Sequence, residues 1–239
     1  MLTNFMFLSI IIPTFNEEEM IGQTIAHLQN CIATNDFEII ISDGGSTDST
    51  IQVANNYNVK IIKSNIKGRS GQMNQAVLEA VGDVFYFVHA DCLPNKDFFD
   101  DIKKAIDAKF NCGSFLTRFD SDKKILRINE FFTQFNYIFF RGGDQSIFVT
   151  KELWSKVGSY REEMLIMEDY DFLNRIYTHG NFKLIKKPTL VSARKYDENS
   201  WLKVQLANLK VVKMYKKGAL QQDMIATYNK MLNYRANAF

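Results

Sequence analysis

The chain has 239 residues, enough for one large domain or two small ones, and its composition, 46% hydrophobic and 23% charged, is that of an ordinary globular protein. Its 29 basic and 27 acidic residues nearly cancel, which argues against general nucleic-acid binding. The three cysteines form no C-x-x-C pair, so neither a disulfide framework nor a zinc site is indicated. No apolar run approaches the ~20 residues that cross a bilayer, and the N-terminus lacks the features of a signal peptide. We therefore expect a cytoplasmic protein.

Four short apolar runs in the first part of the chain indicate strands that are buried on both faces. They lie at residues 7–12, 37–41, 59–63 and 84–88. Segments with helical periodicity or N-cap residues separate them, at 17–32, 47–57 and 71–81. This alternation predicts an α/β fold with a doubly wound, mostly parallel sheet and helices on both faces.

The second half of the chain is less regular, and its predicted elements include an aromatic-rich stretch at 125–140. The sequence predicts strands at 113–118 and 145–150 and helices at 95–107, 167–180, 200–217 and 221–233. No repeat or Pro/Gly linker divides the chain, so we expect a single domain over 1–239. Within it we expect a nucleotide-binding half (1–94), an acceptor and catalytic half (95–199) and a C-terminal helical extension (200–239).

All four predicted N-terminal strands end in polar loops, which read PTFNEEE, SDGGSTDS, SNIKGRSGQMN and HADCLP. In doubly wound sheets ligands bind beyond the carboxyl ends of the strands, so these loops predict a ligand site at one edge. Polar turns also occur where no ligand binds, and each loop alone is weak evidence. The chain has neither a G-x-G-x-x-G motif opening a helix nor a P-loop, so the common dinucleotide and P-loop sites are not supported.

The fourth loop sets His89 and Asp91 two residues apart at the end of a buried strand. Successive strand residues point to opposite faces, so the alternation predicts that these two side chains share a side. Such a pair could hold a cation or a ribose, or could simply lie where the strand meets water.

Six motifs, SIIIPTFNEEEMI, IIISDGGSTDST, GRSGQMNQA, FVHADCLP, GDQSIFV and MEDYDFLNRI, occur in the order found in family 2 glycosyltransferases of the GT-A fold, which the chain resembles from about residue 7 to 180. The later segment SARKY…NLKVVKMYKKGA is similar to a small bacterial branch whose substrate is generally unassigned. The resemblance implies a glycosyltransferase (EC 2.4) that takes part in making cell envelope polysaccharide. Such an enzyme inverts the sugar's configuration as it moves the sugar from a nucleotide-diphosphate donor, with UDP favoured, to an unknown hydroxyl acceptor that could be lipid-linked.

The resemblance also implies roles for individual residues. Asp43 matches the carboxylate that hydrogen-bonds the base, and Arg69 matches a basic residue that reaches the nucleotide. Asp91 matches the last carboxylate of the D-x-D motif, which holds Mn²⁺ or Mg²⁺ on the diphosphate. The full set of expected nucleotide-binding residues is Pro13, Thr14, Asn16, Glu17, Asp43, Ser46, Arg69, Asn74 and His89.

For catalysis, the resemblance implies that Asp169, in the Glu168-Asp169 pair, takes the proton from the acceptor hydroxyl. The alternative is that both acids only stabilise the N-terminus of their helix through its dipole. Asp171 lies nearby in sequence, but its helical direction differs from that of Asp169 by ~200°. Residues expected near the sugar or acceptor are Asp144, Gln145 and Arg194, of which Arg194 could equally lie in a solvated basic turn.

His89 stands where the family has its first aspartate. The exchange removes one negative charge, so we expect weaker cation binding or a preference for Mn²⁺, and His89 could instead make only a strand-end hydrogen bond. It is also the one sequence feature that favours the alternative function, a nucleotide-sugar-binding protein without turnover. A nucleotidyltransferase is a third alternative, but the loop after the first strand lacks the Gly-rich, Arg-bearing sequence with a lysine that such an enzyme would need.

The C-terminal part of the chain is strongly basic, with ten Lys or Arg and two acids over 183–217. In the 200–217 helix, Lys203, Lys210, Lys213 and Lys217 fall within an arc of ~80°, and Trp201, Leu202, Leu206 and Leu209 are expected on other faces. Peripheral contact of this helix with an anionic membrane is one hypothesis. The alternative is a solvated face whose back packs on the protein.

Overall fold

The structure is a computed structural model that describes residues 6–66 and 68–232. Within them, eight strands form a single sheet in the order β3-β2-β1-β4-β7-β6-β8-β5. The strands are β1 (Leu8–Thr14), β2 (Phe37–Asp43), β3 (Lys60–Lys63), β4 (Val84–Phe87), β5 (Cys92–Leu93), β6 (Cys112–Asp120), β7 (Ile147–Thr150) and β8 (Phe182–Ser192).

Ten helices connect or flank the strands of the described chain. They are α1 (Ile21–Asn30), α2 (Thr50–Ala54), α3 (Arg69–Glu79), α4 (Phe98–Asp107), α5 (Leu126–Phe132), α6 (Lys151–Val157), α7 (Glu168–His179), α8 (Lys195–Glu198), α9 (Trp201–Lys216) and α10 (Gln221–Met231). Short 3-10 turns cover Ile138–Phe140 and Gly143–Gln145.

The predicted α/β architecture is confirmed. Strands β1 to β4 pair in parallel, as do β6 and β8, whereas β7 runs antiparallel between β4 and β6. The short edge strand β5 pairs antiparallel with β8. The ends of β1, β2 and β4 therefore open on one side of the sheet, where their polar loops meet.

Helices cover both faces of the sheet, and the alternation of β1 shows how. Ile10 and Ile12 are buried in one apolar cluster with residues of α1, α4 and α9. Ile11, between them, belongs to a second cluster with residues of α3, α6 and α7. All seven residues of β1 are buried, which is why three isoleucines follow one another in its centre rather than alternating with polar residues.

Five of these strands and helices were not expected from the sequence: β5, α5, α6, β8 and α8. Strand β8 carries three lysines and Pro188, a composition that hides its extended conformation, and its pairing with β6 contains an irregularity between Phe115 and Leu116. The last residue of the helix predicted over 221–233 lies outside the described residues. Among the described helices, none combines the length and apolar character needed to span a membrane.

Candidate active site

The loops after β1 and β2 are joined directly to each other. The backbone N–H of Asn16 donates to Ser46 Oγ (2.9 Å), and the N–H of Thr47 donates to Asn16 Oδ1 (2.8 Å). Asn16 has a left-handed backbone (φ 53°), a conformation that asparagine tolerates better than most residues. Glu17 follows, its own N–H bonded to Thr50 Oγ1 (2.8 Å). The first two polar loops are therefore held together by hydrogen bonds from one to the other.

Asp43 organises the second loop from within. Its buried carboxylate accepts hydrogen bonds from the N–H of Gly45 (2.9 Å) and from the N–H and hydroxyl of Ser46. Gly45 turns through φ 93°, where a side chain would be strained. In this structure the carboxylate of Asp43 thus stabilises the conformation of its own loop. Asp43 also lies beside the space where the nucleotide base was expected to bind.

That space is a cleft of about 470 Å³ between the second loop and β3. Isoleucine side chains form apolar walls and polar groups of the loop supply hydrogen-bonding partners, an arrangement that suits a planar heterocycle. The lining residues are Asp43, Gly45, Ser46, Thr47, Ile51, Ile61, Ile62 and Lys63. The isoleucines were not foreseen as site residues, because apolar side chains in strands and helices give no sequence signal beyond burial.

Arg194 joins the first loop to the loop after β4. Its Nη2 donates to Asp91 Oδ2 (2.9 Å) and to Glu17 Oε2 (3.1 Å), and its Nε donates to Ser192 Oγ (3.1 Å). Burial alone would lower the pKa of Arg194, but its hydrogen bonds with the two carboxylates raise that pKa above its ordinary value. A permanent cation therefore lies between two acids at the strand ends.

His89 and Asp91 lie in a tight turn rather than on a strand, and Cys92 begins the short strand β5 directly after it. Strand β4 ends at Phe87, and the N–H of Cys92 donates to the carbonyl of His89 (3.1 Å). The strand alternation expected for this segment is therefore wrong, although the turn does bring His89 and Asp91 close. One ligand atom of each of the three side chains lies within 4.8 Å of the others.

The donor set of this turn fits a divalent cation through its imidazole and carboxylate. Partial burial, reinforced by Arg69 and only partly opposed by Asp91, lowers the pKa of His89 to about 4. The imidazole is then neutral near pH 7, the form that binds metals. Burial and the nearby Asp91 raise the pKa of the Cys92 thiol well above its usual range, so it is a poorer candidate. A cation here would compete with Arg194 for Asp91.

The start of α7 carries the predicted acid pair, and the two acids differ in environment. Glu168 is 2% exposed and forms an ion pair with Arg69 Nη2 (2.8 Å), which ties α7 to the start of α3. Asp169 is partly exposed in the first turn. Glu168 is thus placed to position Arg69, and Asp169 is the acid that solvent or substrate can reach.

Asp171 has a different role from Asp169. It is buried and accepts from Arg175 (2.9 Å to Nη2), Arg161 (3.2 Å) and the Tyr215 hydroxyl (3.4 Å). These contacts hold α7 against α9 and against the loop that precedes α7. Asp171 is therefore a structural residue.

The Gly143–Gln145 turn lies against the cation-binding turn, since Cys92 Sγ is 3.8 Å from the carbonyl of Asp144. Partial burial and the proximity of Asp91 raise the pKa of Asp144 despite the opposing charge of Lys195. Gln145 is buried, and its amide is used within the fold, accepting from Arg141 (2.7 Å) and donating to the Phe140 carbonyl (2.6 Å).

Several expected site residues act through the backbone or within the fold. Pro13 is buried in β1, and Thr14 accepts from Gly44 through its carbonyl. Asn74 is not brought to the cleft by any described contact, because its amide bonds both backbone groups of Tyr160 (2.8 and 3.0 Å).

Sequence reasoning missed Gln72 and Lys195. Gln72 is buried and donates from Nε2 to the carbonyls of Thr14 (2.7 Å) and Ser42 (2.8 Å), closing the ends of β1 and β2. Lys195 follows Arg194 and lies close enough to affect the pKa of both His89 and Asp144. A glutamine in a helix gives no signal of such a role, whereas Lys195 directly follows the predicted residue Arg194 in the segment SARKY and could have been found there.

Residues 9–166 match the family described as Glycosyl transferase family 2. One relative, from Methanococcus voltae, is named dolichyl N-acetyl-alpha-D-glucosaminyl phosphate 3-beta-D-2,3-diacetamido-2,3-dideoxy-beta-D-glucuronosyltransferase. It is 36% identical over 100 residues, a match that spans 38% of this chain and 31% of that protein. The chain thus matches about a third of the length of this relative.

Two solved structures share the fold. Staphylococcus aureus TarS (residues 1–349, in complex with UDP) superposes with a TM-score of 0.66 at 20% identity, covering 95% of this chain and 71% of that one. The mannosyltransferase PcManGT of Pyrobaculum calidifontis, in complex with GDP-Man and Mn²⁺, gives a TM-score of 0.66 at 16% identity, covering 88% and 63%.

Proposed function

The chain belongs to glycosyl transferase family 2, and from that premise we propose that it transfers a sugar, with inversion, from a nucleotide-diphosphate donor to a hydroxyl acceptor. One observation carries the proposal. A continuous set of polar contacts at one edge of the sheet links the cleft beside Asp43 to the first loop, then through Arg194 to Asp91. A donor lying along this edge would place its base in the cleft and its diphosphate beside Arg194.

UDP is the favoured donor nucleotide. The cleft offers apolar walls for a pyrimidine, and the related TarS structure contains UDP. The structure of PcManGT contains GDP-Man, so the base is best decided by direct competition between nucleotides. Arg69 and Lys195 add positive charge on the side of His89, where the diphosphate would lie.

In the proposed reaction, Asp169 accepts the proton of the acceptor hydroxyl while that oxygen attacks the anomeric carbon and the bond to the diphosphate breaks. General-base assistance of this kind contributes about 10²–10⁴ in rate. Glu168 holds Arg69 toward the leaving group. A divalent ion, Mn²⁺ or Mg²⁺, would be held by Asp91 with His89 and would neutralise the developing charge on the nucleotide diphosphate.

A nucleotide-sugar-binding protein without turnover is the second candidate. It is favoured by the ion pair between Arg194 and Asp91, which engages the expected metal ligand. That protein would bind the donor and release no nucleotide.

For the acceptor, we propose a lipid-linked or envelope-polymer hydroxyl reached from the cytoplasmic side, with the enzyme held peripherally at the membrane. The name of the Methanococcus relative includes a dolichyl phosphate sugar, which supports a lipid-linked acceptor here. The strongly basic C-terminal part of this chain agrees with that setting.

The proposal is tested by screening UDP, GDP and ADP and their sugars for thermal stabilisation, with and without Mn²⁺, and then measuring nucleotide release. Asp169→Asn should keep the stabilisation and lose at least a hundredfold of the release. Asp100→Asn, an exposed acid in the first turn of α4, is the matched control and should leave both unchanged. Binding without release in the unmodified protein would instead establish the binding-only function.

A further inference from the structure

The described surface carries an exposed aromatic cluster that the transfer reaction does not use. On α5 and the 3-10 turn after it, Phe131 is 53% exposed and Phe139 is 55% exposed. The rings pack mainly on one another, with centroids 5.4 Å apart for Phe131–Phe135 and 5.1 Å for Phe132–Phe140. Large contiguous apolar surfaces of this kind mark sites of interaction with a partner or a membrane.

Helix α9 adds a second exposed apolar row. Val204, Ala207 and Val211 form its buried face. On the opposite side, Leu202 (60% exposed) and Leu206 (51% exposed) project into solvent, with Leu209 on the same side. The expectation that these leucines lie apart from the lysine arc is wrong for Leu206, which falls within that arc, and all three leucines are exposed.

The lysines of α9 continue this outward face toward its C-terminus. Lys210, Lys213, Lys216 and Lys217 are exposed, and none forms an ion pair with a described residue. The sequence from 199 to 222 contains five lysines and no acid. The helix thus presents leucines followed by uncompensated positive charge, a combination that complements an anionic lipid surface rather than a neutral apolar partner.

The two apolar surfaces are neighbours. The indole Nε1 of Trp201, at the start of α9, donates to Asn129 Oδ1 on α5 (2.7 Å). The aromatic cluster is in turn fixed to the candidate active site, because Arg141 bonds the carbonyls of Thr133 and Phe135 on one side and Gln145 on the other. The aromatic cluster is therefore connected through Arg141 to the Gly143–Gln145 turn, which carries Asp144.

We infer that the aromatic cluster of α5 and the outward face of α9 form a single docking surface for an anionic lipid bilayer, with the phenylalanines and leucines inserted among the headgroups and the lysines over the negative charge. Docking itself does not depend on the transfer reaction. That the surface brings the site to a membrane-borne acceptor rests on the proposed function.

The test is co-sedimentation of the full chain with sucrose-loaded vesicles. One set of vesicles contains phosphatidylcholine alone, and the other contains phosphatidylcholine with about 30% phosphatidylglycerol. We expect binding only to the anionic vesicles. Lys210→Gln/Lys213→Gln/Lys217→Gln should weaken it by about a hundredfold at low salt, from about fivefold per lysine. The matched control is Lys151→Gln/Lys156→Gln/Lys186→Gln, which removes the same charge from exposed sites elsewhere and should bind like the unmodified chain.

The apolar contribution has its own pair of variants. Phe131→Asn/Phe139→Asn should weaken binding to anionic vesicles at least tenfold, whereas Leu78→Asn/Val81→Asn, at exposed apolar positions elsewhere, should not. Brominated lipids should quench the fluorescence of Trp201, and Trp201→Phe, which leaves only the buried Trp154, should abolish that quenching.

Three results would overturn the inference: no binding to anionic vesicles at low salt, equal losses in the test and control variants, or a dimer that the phenylalanine variant dissociates while vesicle binding is unchanged. The last would assign the surface to a second copy of the chain. Nucleotide release is measured in parallel without vesicles. Lipid binding without release defeats the proposed function alone, and release without lipid binding defeats only the docking surface.

Discussion

Two aspartates of α7 make the assignment of the general base testable, because the structure gives them opposite roles. We expect Asp171→Asn to destabilise the protein and Asp169→Asn to remove turnover. Asp171 is buried and shared by Arg175, Arg161 and Tyr215. Removing its charge leaves Arg175, whose side chain is 18% exposed, with a neutral partner.

The magnitude follows from these contacts. Breaking a buried pair by removing one partner costs about 3–5 kcal/mol, and we expect the lower end, ~3 kcal/mol, because asparagine can still accept a hydrogen bond. The exposed Arg161 adds less than about 1 kcal/mol. For a chain of this size, ~3 kcal/mol corresponds to a fall in Tm of about 6–12 °C. Asp169→Asn should shift Tm by no more than ~2 °C, since the side chain is partly exposed.

The assays are thermal and urea unfolding, followed by nucleotide release at a temperature where both variants are folded. At that temperature Asp171→Asn should retain most of the release activity. The assignment would be refuted if Asp171→Asn kept the Tm of the unmodified protein and lost release, or if Asp169→Asn released nucleotide at the normal rate.

Three further predictions follow from other contacts. Gln221→Ala removes the acceptor of two backbone N–H groups just before α7, so we expect the free energy of unfolding in urea to fall by about 1–2 kcal/mol and kcat to fall at unchanged donor KM. Gln222→Ala is the control and should change neither quantity. Equal effects of the two substitutions would contradict the contact. His89→Asp adds a carboxylate to the cation-binding turn and should tighten Mn²⁺ binding about tenfold or more by calorimetry, whereas an unchanged affinity would place residue 89 outside the coordination sphere. Burial raises the pKa of Cys112 to about 12, so at pH 8 a thiol reagent should label at most the half-buried Cys31 in the native protein. After unfolding, the reagent should label three thiols. Rapid labelling of a second thiol in the native protein would contradict the burial.

The sequence predicted the parallel half of the fold well because each strand there has an apolar centre and ends in a polar loop, although β3 is a short, partly exposed strand bounded by Lys60 and Lys63. It failed for β8, where the consecutive residues Lys186, Lys187 and Pro188 interrupt the apolar sequence of a strand near the sheet edge. The aromatic stretch at 125–140 gave no clear element, since several of its phenylalanines are exposed and so show no burial pattern. Burial on one face, the property that sequence periodicity reports, is absent there.

At the candidate site, the sequence located the loops but not how their side chains pair. The nearness of His89 to Asp91 was foreseen for the wrong reason, since a turn and not a strand joins them. The ion pair of Glu168 with Arg69 joins residues about a hundred positions apart, and no local pattern encodes it. Long-range pairing of charges depends on the fold, and so it is the part that a single sequence leaves open.

The reach of Arg194 has a consequence for how the protein is made. Its guanidinium meets Glu17 across 177 positions of chain and Asp91 across 103, so both acids are synthesised long before their counter-charge. During synthesis, the chain segments of the first four strands therefore exist before the cation that pairs with these two carboxylates. A nascent or truncated chain ending before residue 194 would contain every N-terminal motif and still lack the guanidinium that pairs with Glu17 and Asp91.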